Sequence, residues 1–237
     1  MTNRDLEKTE YASREEYIST QVERSRNKFG NCKVSFQDVY RYKQLLLDDQ
    51  AKLGTRRTPE SILCLGVRSG AEVDIFRSVF FGLPFSYSFL RNRFFKKDSS
   101  KLASKKLELA KYGKLGAGSM ADGRVQGVEI NPDIVRPDVH VASFDDLPLE
   151  WSGKFDVIFS NSFDHSIDPT QTLHEWKRVA SSGAYLVIAF PRGNKPTRTD
   201  PLGGLTIDRM RELVSEELVY ASETLNLAGY HEVCFRL

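Results

Sequence analysis

Cysteine is scarce in this chain of 237 residues: Cys32, Cys64 and Cys234 lie far apart and form no CxxC pair. That spacing excludes a disulfide scaffold and a zinc knuckle, and it predicts a reducing compartment. An excess of one charge is also missing, because 34 Lys and Arg face 32 Asp and Glu for a formal net charge of +2. The chain as a whole is therefore no electrostatic magnet for nucleic acid or anionic lipid, and any such partner must meet a local patch. No apolar run approaches the roughly 20 residues a membrane helix needs, and the opening MTNRDLEKTEYASREEY is too polar for a signal peptide. The expectation is a soluble, cytoplasmic protein without a membrane span. The histidines His140, His165, His174 and His231 form no HExxH, so no metal is expected. GVRSGAEV lacks GxGxxG and no tyrosine is followed four positions later by lysine, which speaks against a conventional NAD-dependent reductase.

With 40% hydrophobic residues, the chain can bury one large core without disulfides or metals. Residues 1–58 read as two helices. Ser13 with Glu16 makes a capping-box pattern, and Ser35 precedes Phe36, Val39, Tyr40, Leu46 and Leu47 at helical spacing up to Gly54. From Pro59 the pattern changes to short apolar runs: SILCLG (61–66), VQGVEI (125–130), DVHVAS (138–143), FDVIFSN (155–161) and AYLVIAF (184–190). Near-continuous, β-branched runs of this kind suit strands buried on both faces of a parallel sheet. Between them, Asp168-Pro169-Thr170-Gln171 opens a helix carrying Leu173, Trp176 and Val179 on one stripe, and TIDRMRELVSEEL forms another. The chain ends in two strand patterns joined through Gly229, too close for a crossover helix, so they are expected to pair antiparallel.

Residues 83–124 interrupt this rhythm with Arg91, Arg93, Lys96, Lys97, Lys101, Lys105, Lys106, Lys111 and Lys114 against little acid. They read as a basic insertion into a domain of residues 59–237, helical over about 99–112 and glycine-rich beyond. Interleaved with Phe89, Phe94, Phe95 and Tyr112, the cations suit RNA as a partner, through Lys101, Lys105 and Lys106 in particular. The plainer reading makes those lysines one solvated helix face.

In an open α/β sheet, ligands bind beyond the carboxyl ends of the strands. Those ends carry Gly66 and Gly70 after the first strand, Glu129 after the second, Ser143, Phe144, Asp145 and Asp146 after the third, and Asn161, Asp164 and His165 after the fourth. Glycines let the backbone turn sharply against a ligand, and a carboxylate accepts two hydrogen bonds from ribose hydroxyls; Glu129 also reads as a helix N-terminal carboxylate, with Asn131-Pro132 opening the next helix. Asp145 with Asp146 reads as a solvated turn.

The order GVEINPD, ASFDDLPL, KFDVIFSNSFDHSIDP, LHEWKRV, SSGAYLVIAF and the closing hairpin resembles the class I S-adenosylmethionine-dependent methyltransferases of methyltransferase 11 type, over about residues 60–237. The resemblance implies an α/β fold: a doubly wound, Rossmann-like, mostly parallel seven-stranded sheet with a C-terminal antiparallel hairpin, and the N-terminal helices of residues 1–58 as a lid or cap over the substrate cleft. It implies S-adenosylmethionine as cofactor, with Gly66, Arg68, Ser69 and Gly70 beside its methionine part, Glu129 on the ribose, Ser143 and Phe144 flanking adenine, and Asn161 through His165 beside the methyl. His165 with Asp164 is the candidate catalytic pair, removing a proton from the acceptor. The implied activity is methyl transfer to a small metabolite, a glycan or RNA. Cys64 stands where such proteins carry an acidic residue, Arg68 where they carry a further glycine, and Ser143 where many have aspartate. A guanidinium repels a sulfonium unless it points outward or pairs with the cofactor's carboxylate. Cys64 and Arg68 motivate the alternative, a methyltransferase-like scaffold that has lost its chemistry and serves as a binding module.

Overall fold

The computed structural model describes residues 6–28, 32–55, 57–82, 84–85, 114–115, 123–226 and 228–237. Most of the basic insertion, with Lys101, Lys105, Lys106 and the helix expected over 99–112, lies outside the described residues. Helices α1 (Arg14–Asn27) and α2 (Phe36–Lys52) precede strand β1 (Ile62–Leu65) and α3 (Ala71–Phe81). Two short strands, β2 (Pro84–Phe85) and β3 (Lys114–Leu115), pair with each other. The chain continues through β4 (Val125–Glu129), β5 (Val139–Val141), β6 (Phe155–Ser160), α4 (Pro169–Val179), β7 (Ala180–Pro191), α5 (Ile207–Val214), β8 (Glu217–Ala221) and β9 (Tyr230–Arg236).

Seven strands form one sheet in the order β5-β4-β1-β6-β7-β9-β8. The pairs β5–β4, β4–β1, β1–β6 and β6–β7 are parallel, whereas β9 runs antiparallel to both β7 and β8. The chain moves outward from β1 to β5, then returns across β1 to β6, which makes the carboxyl ends of β1 and β6 a topological switch point. The uninterrupted apolar runs follow from burial on both faces. Cys64, Phe159 and Val187 pack under Val39, Tyr42 and Leu46 of α2 and Phe76 of α3. Their sequence neighbours Leu65, Ile158 and Ile188 pack on the other face under Leu173 and Trp176 of α4 and Met210 of α5.

Local signals set the helix starts. Ser35 and Asp38 form a reciprocal capping box at α2, and Asp168 Oδ1 accepts from the amides of Thr170 and Gln171 at 3.0 and 3.1 Å, with Pro169 at the first helical position of α4. The helix α2 is bolted to the sheet by buried polar links: Tyr42 donates to Glu232 Oε1 at 2.6 Å and Tyr185 to Asp49 Oδ2 at 2.8 Å.

Two local expectations change. Asn131-Pro132 opens no helix; residues 130–138 form turns. Only nine residues separate β4 from β5, Pro137 biases the preceding Arg136 away from helical dihedrals, and the Arg136 guanidinium ties the connection to Asp74 and Asp138 at 2.8 and 2.7 Å. The strand expected to begin at Ala184 begins four residues earlier, at Ala180. None of the helices among the described residues is long and apolar enough to cross a membrane.

Candidate active site

The turn after β1 is unusual in its backbone: Gly66, Arg68 and Gly70 have φ of 76°, 48° and 76°. A Cβ at Gly66 would lie 2.6 Å from Ser162 Oγ, so a glycine is required where this turn meets the loop after β6. The same turn is tied to β4. Gly66 and Val67 donate to the Val128 carbonyl at 2.9 and 3.2 Å, and Arg68 N donates to Glu129 Oε2 at 2.6 Å. The other carboxylate oxygen of Glu129 accepts from Asn131 N at 3.1 Å. Glu129 is buried, lines the cleft beyond the strand ends, and keeps a further lone pair on each oxygen. Phe144 forms part of the wall, seated edge-on against Trp176, whose indole donates to the Phe144 carbonyl at 3.0 Å.

Of the expected site residues, Gly66, Arg68, Glu129, Ser143, Phe144 and His165 line this one cleft, whose volume is about 40 Å³. Ser69, Gly70, Asn161 and Asp164 are not among its lining residues. Gly70 begins α3, Asn161 donates to Glu72 Oε1 at 3.4 Å, and the buried Ser69 Oγ has no hydrogen-bond partner. Arg68 lines the cleft, and its charge is felt at Arg24, Asp164, His165 and Tyr230.

The end of β6 carries a buried titratable cluster. Burial, reinforced by the neighbouring Asp200, pushes the Asp164 carboxyl up to about 7. Burial, then the charges of Arg24 and Arg68, hold His165 well below its ordinary value, so its imidazole is neutral. Its Nδ1 lies 2.9 Å from Gln21 Oε1 and donates to it, which leaves the Nε2 lone pair 3.7 Å from Asp164 Oδ1 and 3.6 Å from Asp200 Oδ1. Asp164 Oδ1 has no hydrogen-bond partner. The three side chains have the donor types of a divalent-cation site, with ligand atoms within 4.8 Å of one another. Arg24 already forms an ion pair with Asp200, and together with Arg68 it raises the local potential, so the cluster is suited to hold a proton rather than a dication.

Sequence reading missed the individual residues of α1 that roof the cleft: Tyr17, Gln21, Arg24 and Ser25. Their signal was present, because the buried face of α1 is Tyr17, Gln21 and Ser25, spaced four apart and polar where a core-packing helix would be apolar. The helix is attached by polar links to several strand-end loops. Arg14 pairs with Asp145 at 3.0 Å, Tyr17 donates to the His165 carbonyl at 2.9 Å, and Arg26 pairs with Asp133 at 2.6 Å. Asp145 is thus buried and paired, not part of a solvated turn.

Residues 114–188 match the family model of methyltransferase 11, described as a methyltransferase domain. No curated protein matches the chain by sequence. Among solved structures, the N-methyltransferase NodS from Bradyrhizobium japonicum WM9, in complex with S-adenosyl-L-homocysteine, is 12% identical over 92% of this chain and 98% of its own, with a TM-score of 0.52. The 1,6-didemethyltoxoflavin-N1-methyltransferase from Burkholderia thailandensis, with bound 1,6-didemethyltoxoflavin and S-adenosylhomocysteine, is 13% identical over 100% of this chain and 96% of its own, with a TM-score of 0.47. The likeness to NodS shows a shared fold.

Proposed function

We propose that this protein, a class I methyltransferase of methyltransferase 11 type by its fold and by its residues 114–188, binds S-adenosylmethionine in the switch-point cleft and transfers the methyl group to a small acceptor admitted beneath α1. The observation that carries this reading is the Glu129 carboxylate, fixed by amides of two loops with lone pairs left over at the cleft wall. The residues fit the cofactor. Gly66 lets the turn pass close against Ser162 at the cleft wall, Glu129 accepts from ribose hydroxyls, and Ser143 and Phe144 offer a polar and an aromatic flank to adenine. The Gly66–Gly70 turn with Arg68 and Ser69 follows the methionine part, and Asn161 supports the end of β6. A cleft of about 40 Å³ holds a few waters at most, so α1 lifts to admit the cofactor.

When bound, S-adenosylmethionine supplies a methyl group on a positively charged sulfur, which leaves the protein to align the acceptor, exclude water and remove a proton where the acceptor has one. His165 is the residue for that last task, being neutral, buried and held by Gln21 with its Nε2 lone pair toward Asp164 and Asp200. Asp164 then shares the proton, because its own affinity for one lies near neutrality. The roof over the cleft favours a small molecule, a metabolite or sugar, over a polymer. The reading of RNA as acceptor rested on Lys101, Lys105 and Lys106, outside the described residues.

Thermal melting with S-adenosylmethionine and with S-adenosylhomocysteine tests the proposal. Ligand at 100 to 1,000 times its Kd is expected to stabilise the fold by roughly 3 to 4 kcal/mol through mass action. An unchanged melting temperature with both would favour the scaffold reading.

A further inference from the structure

A side-chain amide and an imidazole can meet in two ways: the amide oxygen accepts from a ring N–H, or the amide N–H donates to a bare ring nitrogen. At Gln21 and His165 the choice is made by two further groups. Gln21 Nε2 donates to the Thr199 carbonyl at 3.3 Å. Gln21 also hydrogen-bonds the phenol of Tyr11, whose own proton goes to the Arg198 carbonyl. A carbonyl, and a phenol oxygen that has committed its proton, offer only lone pairs, so both N–H groups of the amide turn to them. The amide oxygen is left for His165 Nδ1, 2.9 Å away, which must then carry the ring proton. The reverse arrangement would set two oxygens lone pair to lone pair around the buried Gln21. The carboxylates beside the other ring nitrogen do not hold it: Asp164 Oδ1 and Asp200 Oδ1 stand 3.7 and 3.6 Å from Nε2, beyond hydrogen-bond reach, and Asp200 is paired with Arg24.

We propose that Gln21 and Tyr11 are positioning residues for His165: through them the Thr199 and Arg198 carbonyls, in the segment after β7, fix the ring proton on Nδ1 and leave Nε2 bare for a proton of the acceptor. The inference rests on the reading of His165 as the base and adds what sets that base. Which ring nitrogen of a histidine is protonated follows from the hydrogen bond the ring makes, and a free side chain in water favours the proton on Nε2, where it would block the transfer. With the proton on Nδ1, the ring takes a second one at Nε2, and the cation so formed keeps its bond to Gln21. The same part of the chain holds the backbone of His165. Tyr11 packs edge-on against Tyr17 with ring centroids 5.4 Å apart, and Tyr17 donates to the His165 carbonyl at 2.9 Å. Gln21 and Tyr17 belong to α1, so the base is set only while that helix lies over the cleft.

The test is nitrogen NMR of the imidazole rings in isotope-labelled protein, in mildly alkaline buffer. A protonated ring nitrogen and a bare one resonate far apart, so the spectrum reads the tautomer directly. The chain has only four histidines, and His165→Gln identifies the signals of His165. The wild type is compared with Gln21→Leu, Gln21→Glu and Tyr11→Phe, with thermal melts to show that each folds. The wild type is expected to carry the proton on Nδ1. Gln21→Leu, which keeps bulk but no acceptor, lowers the ratio of the Nδ1–H to the Nε2–H form by about fivefold or more. Tyr11→Phe, which keeps the ring against Tyr17, lowers it by about twofold. Gln21→Glu, which keeps an acceptor, retains the wild-type form. A proton on Nε2 in the wild type, an unchanged ratio in either Gln21→Leu or Tyr11→Phe, or loss of the Nδ1–H form in Gln21→Glu overturns the relay. Adding S-adenosylhomocysteine separates this result from the cofactor reading. If no resonance of the cleft moves with the ligand, the cofactor reading falls and the relay is judged on its tautomer alone; if resonances move while the tautomer is the wrong one, the relay falls and the cofactor reading stands.

Discussion

The backbone amide of Arg68 donates to Glu129 Oε2 at 2.6 Å, joining positions 61 residues apart in the chain. One hydrogen bond thus fixes the turn after β1 to the tip of β4, and it uses only part of the carboxylate's accepting capacity. The residue that reads most like a ligand contact is also the one that shapes the turn beside it.

The tightness of that turn is testable at Gly66. A Cβ there would meet Ser162 Oγ at 2.6 Å and Ser162 Cβ at 2.7 Å, and the residue has φ of +76°. Gly66→Ala is expected to lose about 1 to 3 kcal/mol of stability from backbone strain and crowding. Urea unfolding of the two proteins checks this, and equal midpoints would show that the two loops part easily.

Asp164 and His165 tilt the pH dependence of stability in opposite directions. The folded protein holds a proton on Asp164 up to about 7, whereas the unfolded chain releases it near the ordinary 3.8, so this contribution is lost as pH rises through that window. His165 is held neutral in the fold, while the unfolded chain takes up a proton near 6.5, so its contribution is lost as pH falls through that value. Relative to the wild type, Asp164→Asn is therefore expected to gain stability as pH rises from about 4 to 7, and His165→Gln to gain as pH falls below about 6.5. Chemical denaturation at half-unit pH steps measures both slopes, and slopes of the same sign would contradict the assignment.

The two N-terminal helices should differ in how readily they open. α2 contributes Val39, Tyr42 and Leu46 to the core, whereas the buried face of α1 is Tyr17, Gln21 and Ser25 over the cleft. Polar links exchange readily for water, each being worth about 0.5 to 1.5 kcal/mol net, while apolar packing does not. Amides of residues 18–27 are expected to exchange with deuterium at least about tenfold faster than those of 40–52, and to slow selectively with S-adenosylhomocysteine. Exchange of both helices at one rate, with and without ligand, would remove α1 as a lid.

Much of the architecture was legible because parallel strands buried on both faces have little choice of residue: the runs around Cys64, Val128 and Ile158 could hardly be anything else. The polar strand tips stood out against them. What was not legible arises from tertiary contact. Arg136 reaching across to Asp74 holds a turn where Asn131-Pro132 suggested a helix. Asp200 reaches His165 only because the segment after β7 folds back over the end of β6, as the hydrogen bond from Leu202 N to the Asp164 carbonyl at 3.0 Å shows. The inward face of α1 was written in its sequence, but a polar helix face reads as solvent-facing until something polar is known to lie beneath it.

Calorimetry of S-adenosylhomocysteine with wild-type protein and with Glu129→Gln bears most directly on the cofactor cleft. The substitution keeps the side chain's shape and one carbonyl acceptor while replacing an anionic acceptor by a donor. Micromolar binding by the wild type, weakened about tenfold or more in a Glu129→Gln protein that still melts cooperatively, is the expected result. Binding of equal strength by the two proteins, or none by the wild type, would contradict it.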